Sequence, residues 1–218
     1  MPLESSAAEA PTDRVAHRIR LLRRTELPSD AVELARYLIG KSVVRELSRG
    51  AAPRRIAGRV VETEAYVPGD AAAHAFIGPT PRNRSLFLER GHAYVYFCYG
   101  MHYMLNMSAE SAGIGAGVLI RALEPIEGVD LIERHRGTKR LIDLARGPGR
   151  VAEALRIGPR LDGIDLCAQG PLWLGTSVRD ADAIGTSVRI GITKEAHRLL
   201  RFYERGSPFV SGPKRLCA

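Results

Sequence analysis

Two different periods of apolar residues run along the chain, and each predicts its own kind of element. Apolar residues recur at helical spacing between Ser29 and Gly40, where Ser29 is a good N-cap and Gly40 can end the helix. Two further helices are predicted over residues 125–136 and 149–157. Alternating residues or short apolar runs predict strands at residues 43–47, 56–66, 93–98, 101–107, 116–122, 172–174 and 188–192. Strands mixed irregularly with helices are typical of an α+β fold, here a single compact domain around a largely antiparallel curved sheet.

The two ends of the chain lack this patterning. Residues 1–24 mix Ser, Ala, Glu and Pro with a cluster of arginines and show no sustained apolar period, so we interpret them as a flexible basic arm. Such an arm either stays solvated or touches a nucleic acid. Residues 25–213 then form the one predicted domain, and residues 214–218 form a short tail.

Composition narrows the class of protein. A chain of 218 residues, 45% of them hydrophobic, can bury one sizeable core. The formal net charge of +8 suits a polyanionic partner, because neutralised phosphates release their counterions, but it equally suits a basic protein without such a partner. The 3 cysteines lack CxxC spacing, which argues against disulfides and fits a reducing cytoplasm. No apolar run approaches about 20 residues, so we expect neither secretion nor membrane spanning.

The segment 60–66 carries candidate chemistry. A period of two places Val60, Glu62, Glu64 and Tyr66 on one face of a strand. A carboxylate at the end of a strand needs only hydrogen-bond reach to a water and a tuned pKa to act as a general base. The pattern does not choose between Glu62 and Glu64, and each is also compatible with an ordinary surface position.

Three of the four tyrosines in the next predicted hairpin are candidate DNA contacts. Tyr99 stands beside Gly100 at its tip, where an aromatic side chain either projects outward, as a wedge between base pairs, or folds back on the hairpin. Tyr94 and Tyr96 share one strand face, where they either stack on a base or fill the core.

Histidines and arginines suggest further contacts. His74 is a possible hydrogen-bond donor, but the 6 histidines show no metal-ligand spacing such as HExxH, so we expect no metal. Arg82 and Arg84, like Arg146 and Arg150, lie in basic turns that suit either DNA phosphates or solvent. The neighbouring glycines match no phosphate-loop or dinucleotide fingerprint, so we expect no nucleotide cofactor.

A series of short motifs follows one another from about residue 27 to residue 211. They are Val61-Glu62-Thr63-Glu64-Ala65-Tyr66, Ala73-His74, Thr80-Pro81-Arg82-Asn83-Arg84, Tyr94-Val95-Tyr96, Tyr99-Gly100-Met101, Asn106, Arg121-Ala122-Leu123-Glu124-Pro125 and Arg201-Phe202-Tyr203-Glu204-Arg205-Gly206-Ser207-Pro208. In kind and in order they resemble the motifs of the alkyladenine (3-methyladenine) DNA glycosylase family. The resemblance implies a fold like the C-terminal domain of formyltransferases.

The resemblance also implies which residues carry the reaction. It places the general base on Glu64 and not on Glu62. It further implies that the attacking water is held by Arg121 and by a backbone carbonyl in the segment around Ile190.

The pocket is assigned by the same resemblance. Tyr66, His74 and Tyr96 would line it around the extruded base, and Asn106 would help to exclude normal purines. Tyr99 would enter the minor groove and fill the space that the base leaves. Electron-rich tyrosine faces suit the positive charge of an alkylated purine.

The chain departs from the family's common pattern at three places. Segment 76–79 lacks the arginine that many members carry before Thr80, Leu199 stands where a proline is usual, and Leu86 replaces a methionine. These departures bear on loop shape and substrate range, and they leave the predicted base and wedge in place.

The implied function is a monofunctional DNA glycosylase that flips alkylated purines out of duplex DNA and hydrolyses the N-glycosidic bond, which initiates base excision repair. Its partner would be double-stranded DNA containing damaged purines, and a monomer suffices for one lesion. Two alternatives stay open: a non-catalytic nucleic-acid-binding module, and a glycosylase directed at hypoxanthine or ethenoadenine. The set Glu64, Tyr99 and Arg121 favours an enzyme, because a binding module has no need of it.

Overall fold

Two long strands organise the fold, β2 (Arg54–Tyr66) and β5 (Gly117–Glu127), which pair antiparallel along most of their length. The computed structural model describes residues 19–47, 54–98 and 100–213. The other strands are β1 (Ser42–Leu47), β3 (Ala93–Cys98), β4 (His102–Ser108), β6 (Leu172–Gly175), β7 (Ile184–Ser187) and β8 (Arg201–Glu204). The sheet runs in the order β3-β4-β5-β2-β1-β6, and β8 pairs with both β2 and β7. All the described strand pairs are antiparallel, so the predicted α+β class around an antiparallel curved sheet is confirmed.

Three helices cover this sheet: α1 (Ala31–Leu38), α2 (Val129–Arg136) and α3 (Pro148–Ala154). Helix α1 buries Ala31, Leu34, Ala35 and Leu38, the spacing of one helical face, and packs against β2 and β5. Helix α3 packs against β4 and β5, and α2 packs against α3. Within the described ranges, none of the helices has the length and apolar character needed to cross a membrane.

The first helix begins one residue later than predicted. Its N-cap is Asp30, not Ser29, because the Asp30 carboxylate accepts hydrogen bonds from the backbone N–H groups of Val32 (2.8 Å) and Glu33 (2.9 Å). The helix ends at Leu38, and Gly40, with φ 88°, lies in the turn that leads into β1.

The predicted helix at residues 125–136 was wrong in its first part. Pro125 belongs to β5, where it pairs with Gly58 beside a register shift. Gly128 then separates strand from helix, with φ 68° and so little room that a Cβ atom would lie 2.4 Å from the carbonyl oxygen of Arg55. The helix therefore begins at Val129.

Two predictions near the C-terminal end need correction. Residues 188–192 form no strand, and the strand in this region is β7, which ends at Ser187. Strand β8 was not predicted at all. Its four residues are all buried, so it shows no alternation of apolar and polar positions for a periodicity to detect.

The alternation predicted for residues 60–66 breaks at Val61. Register shifts between β2 and β5 surround this position. Val60 consequently packs in the main core together with Ala65, whereas Val61 packs with Ala122 in a second cluster. The prediction that Val60 shares the face of Glu62 and Glu64 was therefore wrong.

Residues 19–24, which belong to the predicted arm, include one residue that packs against the domain. Leu22 is buried, and its N–H donates to the carbonyl of Leu174 on β6 (2.9 Å). Residues 1–18 of the predicted arm and the predicted tail 214–218 lie outside the described residues.

Candidate active site

A cavity of about 370 Å³ opens beside the C-terminal end of β2. Its walls come from β2 and the following turn, from β3 and β4, from β5, and from the segment 190–192. The predicted site residues among its lining are Tyr66, His74, Tyr96, Asn106, Arg121 and Ile190. The structure thus brings together, at one cavity, residues spread over more than half of the chain.

Glu64 lies directly behind this lining and is fully buried. Its Oε1 accepts a hydrogen bond from the backbone N–H of Ile190 (2.8 Å) and lies 3.2 Å from Nη1 of Arg121. Its Oε2 accepts a hydrogen bond from the hydroxyl of Tyr66 (3.1 Å). All three partners line the cavity, so the carboxylate is held at its edge by groups that are themselves exposed to it.

Burial raises the pKa of Glu64 above its ordinary value. The charge of Arg121 and the hydrogen bonds from Ile190 and Tyr66 oppose this rise, and the charge of Glu62 adds to it. A carboxylate with a raised pKa is a stronger proton acceptor than an exposed glutamate, and this is the property that a general base requires.

Glu62 is equally buried, but it is enclosed by protein groups. Its Oε1 accepts hydrogen bonds from Nε of Arg121 (2.9 Å) and Nε of Arg201 (2.7 Å), and its Oε2 accepts one from the N–H of Ser211 (2.7 Å). Neither carboxylate is itself a lining residue, but Arg201 and Ser211, two of the three partners of Glu62, do not line the cavity, whereas all three partners of Glu64 do. These contacts separate the two carboxylates that the sequence pattern left equivalent.

Three aromatic rings form one wall of the cavity. Tyr94 and Tyr96 stack with ring centroids 5.3 Å apart, and His74 meets Tyr96 edge-on at 4.5 Å. A hydrogen bond of 2.9 Å joins Nδ1 of His74 to the hydroxyl of Tyr94. Burial, followed by the charge of Arg82, lowers the pKa of His74, and burial raises the pKa of Tyr94 to about 12. Both shifts favour the uncharged forms of His74 and Tyr94 at neutral pH.

Asn106 lies at the base of the cavity on β4. It is buried, and its Nδ2 donates to the carbonyl of Tyr94 on the paired strand β3 (3.3 Å). Asn106 is thus a polar side chain in the cavity lining, fixed by its amide nitrogen to the neighbouring strand.

The four predicted phosphate contacts fall into two places. Arg82 and Arg84 are exposed on the turn that follows His74, and Nη2 of Arg82 donates to the carbonyl of Phe97 (3.0 Å). Arg146 and Arg150 line a second groove, which shares Met104 and Pro148 with the cavity. Arg136, which the sequence analysis missed, lines this groove as well.

Three remaining expectations concern Tyr99, the segment 76–79 and metal binding. The predicted wedge, Tyr99, lies outside the described residues, between Cys98 and Gly100. In the segment 76–79, which departs from the family's common pattern, Phe76 and Ile77 expose 54% and 77% of their surface. In the ranges 19–47, 54–98 and 100–213, no group of three or more His, Cys, Asp or Glu side chains is placed to hold a metal ion.

Sequence reasoning also missed a buried ion pair next to the site. The guanidinium of Arg189 contacts both carboxylate oxygens of Asp70, at 3.1 Å from Nη2 to Oδ1 and more closely from Nη1 to Oδ2. Arg189 also donates to the carbonyl of Ala65 (3.1 Å) and lies 4.6 Å from the ring centre of Tyr66. Asp70 stands in a Pro-Gly turn and Arg189 in an irregular segment, so no periodicity singles out either residue.

Comparisons with known proteins show which family this chain resembles. A family model described as methylpurine-DNA glycosylase matches residues 25–208. The chain is 64% identical to a protein of Mesorhizobium japonicum named as a 3-methyladenine DNA glycosylase, over 89% of this chain and 92% of the relative. Proteins with the same name from Paraburkholderia phytofirmans (53% identity, 89% and 90% coverage) and Methanoculleus marisnigri (42%, 84% and 94%) are also similar.

Proposed function

Because the chain belongs to the methylpurine-DNA glycosylase family and is a DNA-3-methyladenine glycosylase, a hydrolase of N-glycosyl bonds, we propose that Glu64 is the general base of its reaction. The observation that carries the proposal is the position of Glu64. Its carboxylate is buried, has a raised pKa and is held at the cavity edge by Tyr66, Arg121 and Ile190.

The contacts of Glu64 leave room for one water molecule. An ionised carboxylate offers about four acceptor positions. Arg121 and Ile190 take up Oε1, and Tyr66 occupies one position on Oε2. A water bound at the remaining position on Oε2 passes a proton to Glu64 while its oxygen attacks C1′ of the sugar. The predicted further contacts of this water are Arg121 and a backbone carbonyl in the segment Arg189-Ile190-Gly191, where the N–H of Ile190 binds Glu64.

The leaving group explains why one carboxylate suffices. As the glycosidic bond breaks, its electron pair moves to the purine. An alkylated purine carries a positive charge and leaves as a neutral base, so neither a covalent lysine adduct nor a second acid is required. The enzyme is accordingly monofunctional, and its products are the free base and an abasic site.

The cavity suits a flipped, cationic purine. A base inside a duplex cannot reach a carboxylate that is buried behind a pocket wall, so the nucleotide must leave the helix. Tyr66 and Tyr96 offer π faces to the cationic ring, at about 0.5 to 2 kcal/mol per contact. His74 is uncharged and does not repel it. Asn106 discriminates against normal purines from the floor of the cavity.

Cationic side chains on two sides of the cavity dock the DNA backbone. Arg82 and Arg84 flank one side, and Arg146 and Arg150 lie in the adjoining groove. Tyr99, which lies between β3 and β4 in the sequence, fills the gap left by the flipped base. The cavity is built from one chain, so a monomer suffices to bind one lesion.

The test is Glu64→Gln, which keeps the shape of the side chain and removes its basicity. We expect binding to a duplex with one alkylated purine to persist, while the single-turnover release of 3-methyladenine falls by about a thousandfold. Release is measured by chromatography of the free base, and abasic sites are measured by alkali-induced strand breaks. Glu204→Gln, which alters a buried carboxylate remote from the cavity lining, is the matched control. Wild-type release by Glu64→Gln would remove Glu64 from the role of base.

A further inference from the structure

The buried pair of Asp70 and Arg189 connects two walls of the cavity. Asp70 belongs to the turn that leads from β2 to His74, where its Oδ1 accepts a hydrogen bond from the N–H of Ala72 (2.9 Å). Arg189 immediately precedes Ile190 in the opposite wall. Both side chains are completely excluded from solvent. The two walls are therefore fixed relative to each other by one charged, fork-shaped contact.

Arg189 also reaches the groups that hold Glu64. Its guanidinium lies over the ring of Tyr66, whose hydroxyl donates to Oε2 of Glu64. It bonds the carbonyl of Ala65, between Glu64 and Tyr66 in the strand. The next residue after Arg189 is Ile190, whose N–H donates to Oε1 of Glu64. Two of the three contacts to the carboxylate thus depend on where Arg189 is held.

The local charges show that Arg189 does not itself neutralise Glu64. Three carboxylates and three guanidinium groups are buried in this region, namely those of Glu62, Glu64, Asp70, Arg121, Arg189 and Arg201. Arg121 pairs with both Glu62 and Glu64, and Arg201 pairs with Glu62. Arg189 is paired with Asp70 on both nitrogens, so its role toward Glu64 is geometric.

We propose that Asp70 and Arg189 are positioning residues for the hydrolysis: their ion pair holds the Tyr66 hydroxyl and the Ile190 N–H against Glu64. This inference rests on the proposed function of Glu64. Neither residue touches the substrate, and each acts through a neighbour that does. A purely structural pair would stabilise the fold without setting the protonation of the base.

The test is the double variant Asp70→Asn/Arg189→Gln, which removes one charge of each sign. The groups that face Glu64 are Glu62 and Tyr66 on β2, Arg121 on β5 and the Ile190 N–H, and their charges are unchanged. The hydrogen bonds from Tyr66 and Ile190 lower the pKa of Glu64, so their loosening raises it. We expect the acid limb of the single-turnover rate to move to higher pH, and the rate at neutral pH to fall roughly tenfold. Affinity for a duplex with a tetrahydrofuran abasic analogue, which offers no base to the pocket, should remain at the wild-type value.

The matched control is Arg59→Gln/Glu204→Gln, which removes another buried bidentate pair whose members are absent from the cavity lining. It should lower the melting temperature and leave the acid limb in place.

An unchanged acid limb and rate in folded Asp70→Asn/Arg189→Gln would overturn the proposal. If that variant does not fold, Arg189→Lys is the test, because lysine keeps the positive charge and cannot form the two-nitrogen contact with Asp70. It should show the same shift to a smaller extent, and wild-type behaviour would again overturn the proposal. Wild-type excision by Glu64→Gln would instead refute the proposed function of Glu64.

Discussion

Two buried carboxylates on neighbouring strands, Glu64 on β2 and Glu204 on β8, show opposite electrostatic behaviour. Both are paired with arginine, and both lose nearly all contact with solvent. Burial raises the pKa of each. At Glu204 the hydrogen bonds from Arg59 and from the N–H of Asp182, with the charges of Arg59 and Arg179, outweigh burial, and the pKa is lowered. At Glu64 burial outweighs Arg121 and the other partners, and the pKa is raised.

The difference shows what separates a carboxylate that stabilises the fold, such as Glu204, from one that can act as a general base, such as Glu64. Two guanidinium groups compensate Glu204: Arg59, which also contacts Glu124, binds both of its oxygens, at 2.6 Å and 2.5 Å, and Nη1 of Arg179 lies 3.1 Å from its Oε1. Arg121 divides its guanidinium between Glu62 and Glu64, so Glu64 receives only part of the compensation. The negative charge of Glu64 is therefore compensated less than that of Glu204. Because Glu64 also lies next to a cavity, it is able to accept a proton.

The largest effect on stability should come from Glu204→Gln. Breaking a buried ion pair by removing one partner costs about 3 kcal/mol, so we expect the free energy of unfolding at neutral pH to fall by about that amount while excision persists. The pKa of Glu204 is lowered in the folded state. Its carboxylate therefore stabilises the fold fully above the ordinary glutamate pKa, and this stabilisation is lost as the pH falls through the pKa of the folded state. Denaturant unfolding at neutral pH and at about pH 3 measures both, and the difference between wild type and variant should shrink at the lower pH. Equal losses at the two pH values would contradict this explanation.

Glu64→Gln should change stability in the opposite direction. Because the pKa of Glu64 is raised in the folded state, the folded protein retains this proton to a higher pH than the unfolded chain does. The stabilisation from the protonated carboxyl is complete below the ordinary glutamate pKa, and it is lost as the pH rises through the pKa of the folded state. Once ionised, the carboxylate therefore costs stability, and a neutral amide removes that cost. We expect a higher melting temperature for the inactive variant at neutral pH, measured by calorimetry. A lower one would mean that the contact with Arg121 outweighs burial.

A smaller effect is expected from Tyr66→Phe. This change removes the hydroxyl that donates to Oε2 of Glu64, a contact that lowers the pKa of the carboxyl. A hydrogen bond to a charged group contributes about 1.5 kcal/mol, which corresponds to an upward shift of roughly one pH unit in the acid limb of excision. Tyr94→Phe is the control, since the Tyr94 hydroxyl meets His74 and not Glu64. Equal shifts in the two variants would contradict the assigned contact.

The sequence predicted much of the fold, because most strands alternate or are continuously apolar. It failed where chain geometry depends on contacts between distant residues. The break at Val61 follows from a register shift against β5, and β8 has no exposed face. Pro125 signals a helix start by itself, yet it lies in a strand because of its pairing with Gly58.

The site was predicted differently. The resemblance to the glycosylase family implied that Tyr66, His74, Tyr96 and Asn106 line one pocket, and the structure places all four in the lining of one cavity. Periodicity alone left Glu62 and Glu64 equivalent, since their difference depends on groups far along the chain. Arg201 and Ser211, which enclose Glu62, lie 139 and 149 residues away from it. The pair of Asp70 and Arg189, separated by 119 residues, had no local signal either.

The most direct test of Glu64 as the base is the pH dependence of excision of 7-methylguanine by the wild-type enzyme in single turnover. This lesion carries a positive charge, so its departure needs no added proton and the acid limb reports the base alone. We predict a midpoint above the ordinary glutamate value of 4.5, because burial raises the pKa of Glu64. The limb should be absent from the residual activity of Glu64→Gln. A midpoint at or below 4.5, or the same limb in Glu64→Gln, would contradict the account.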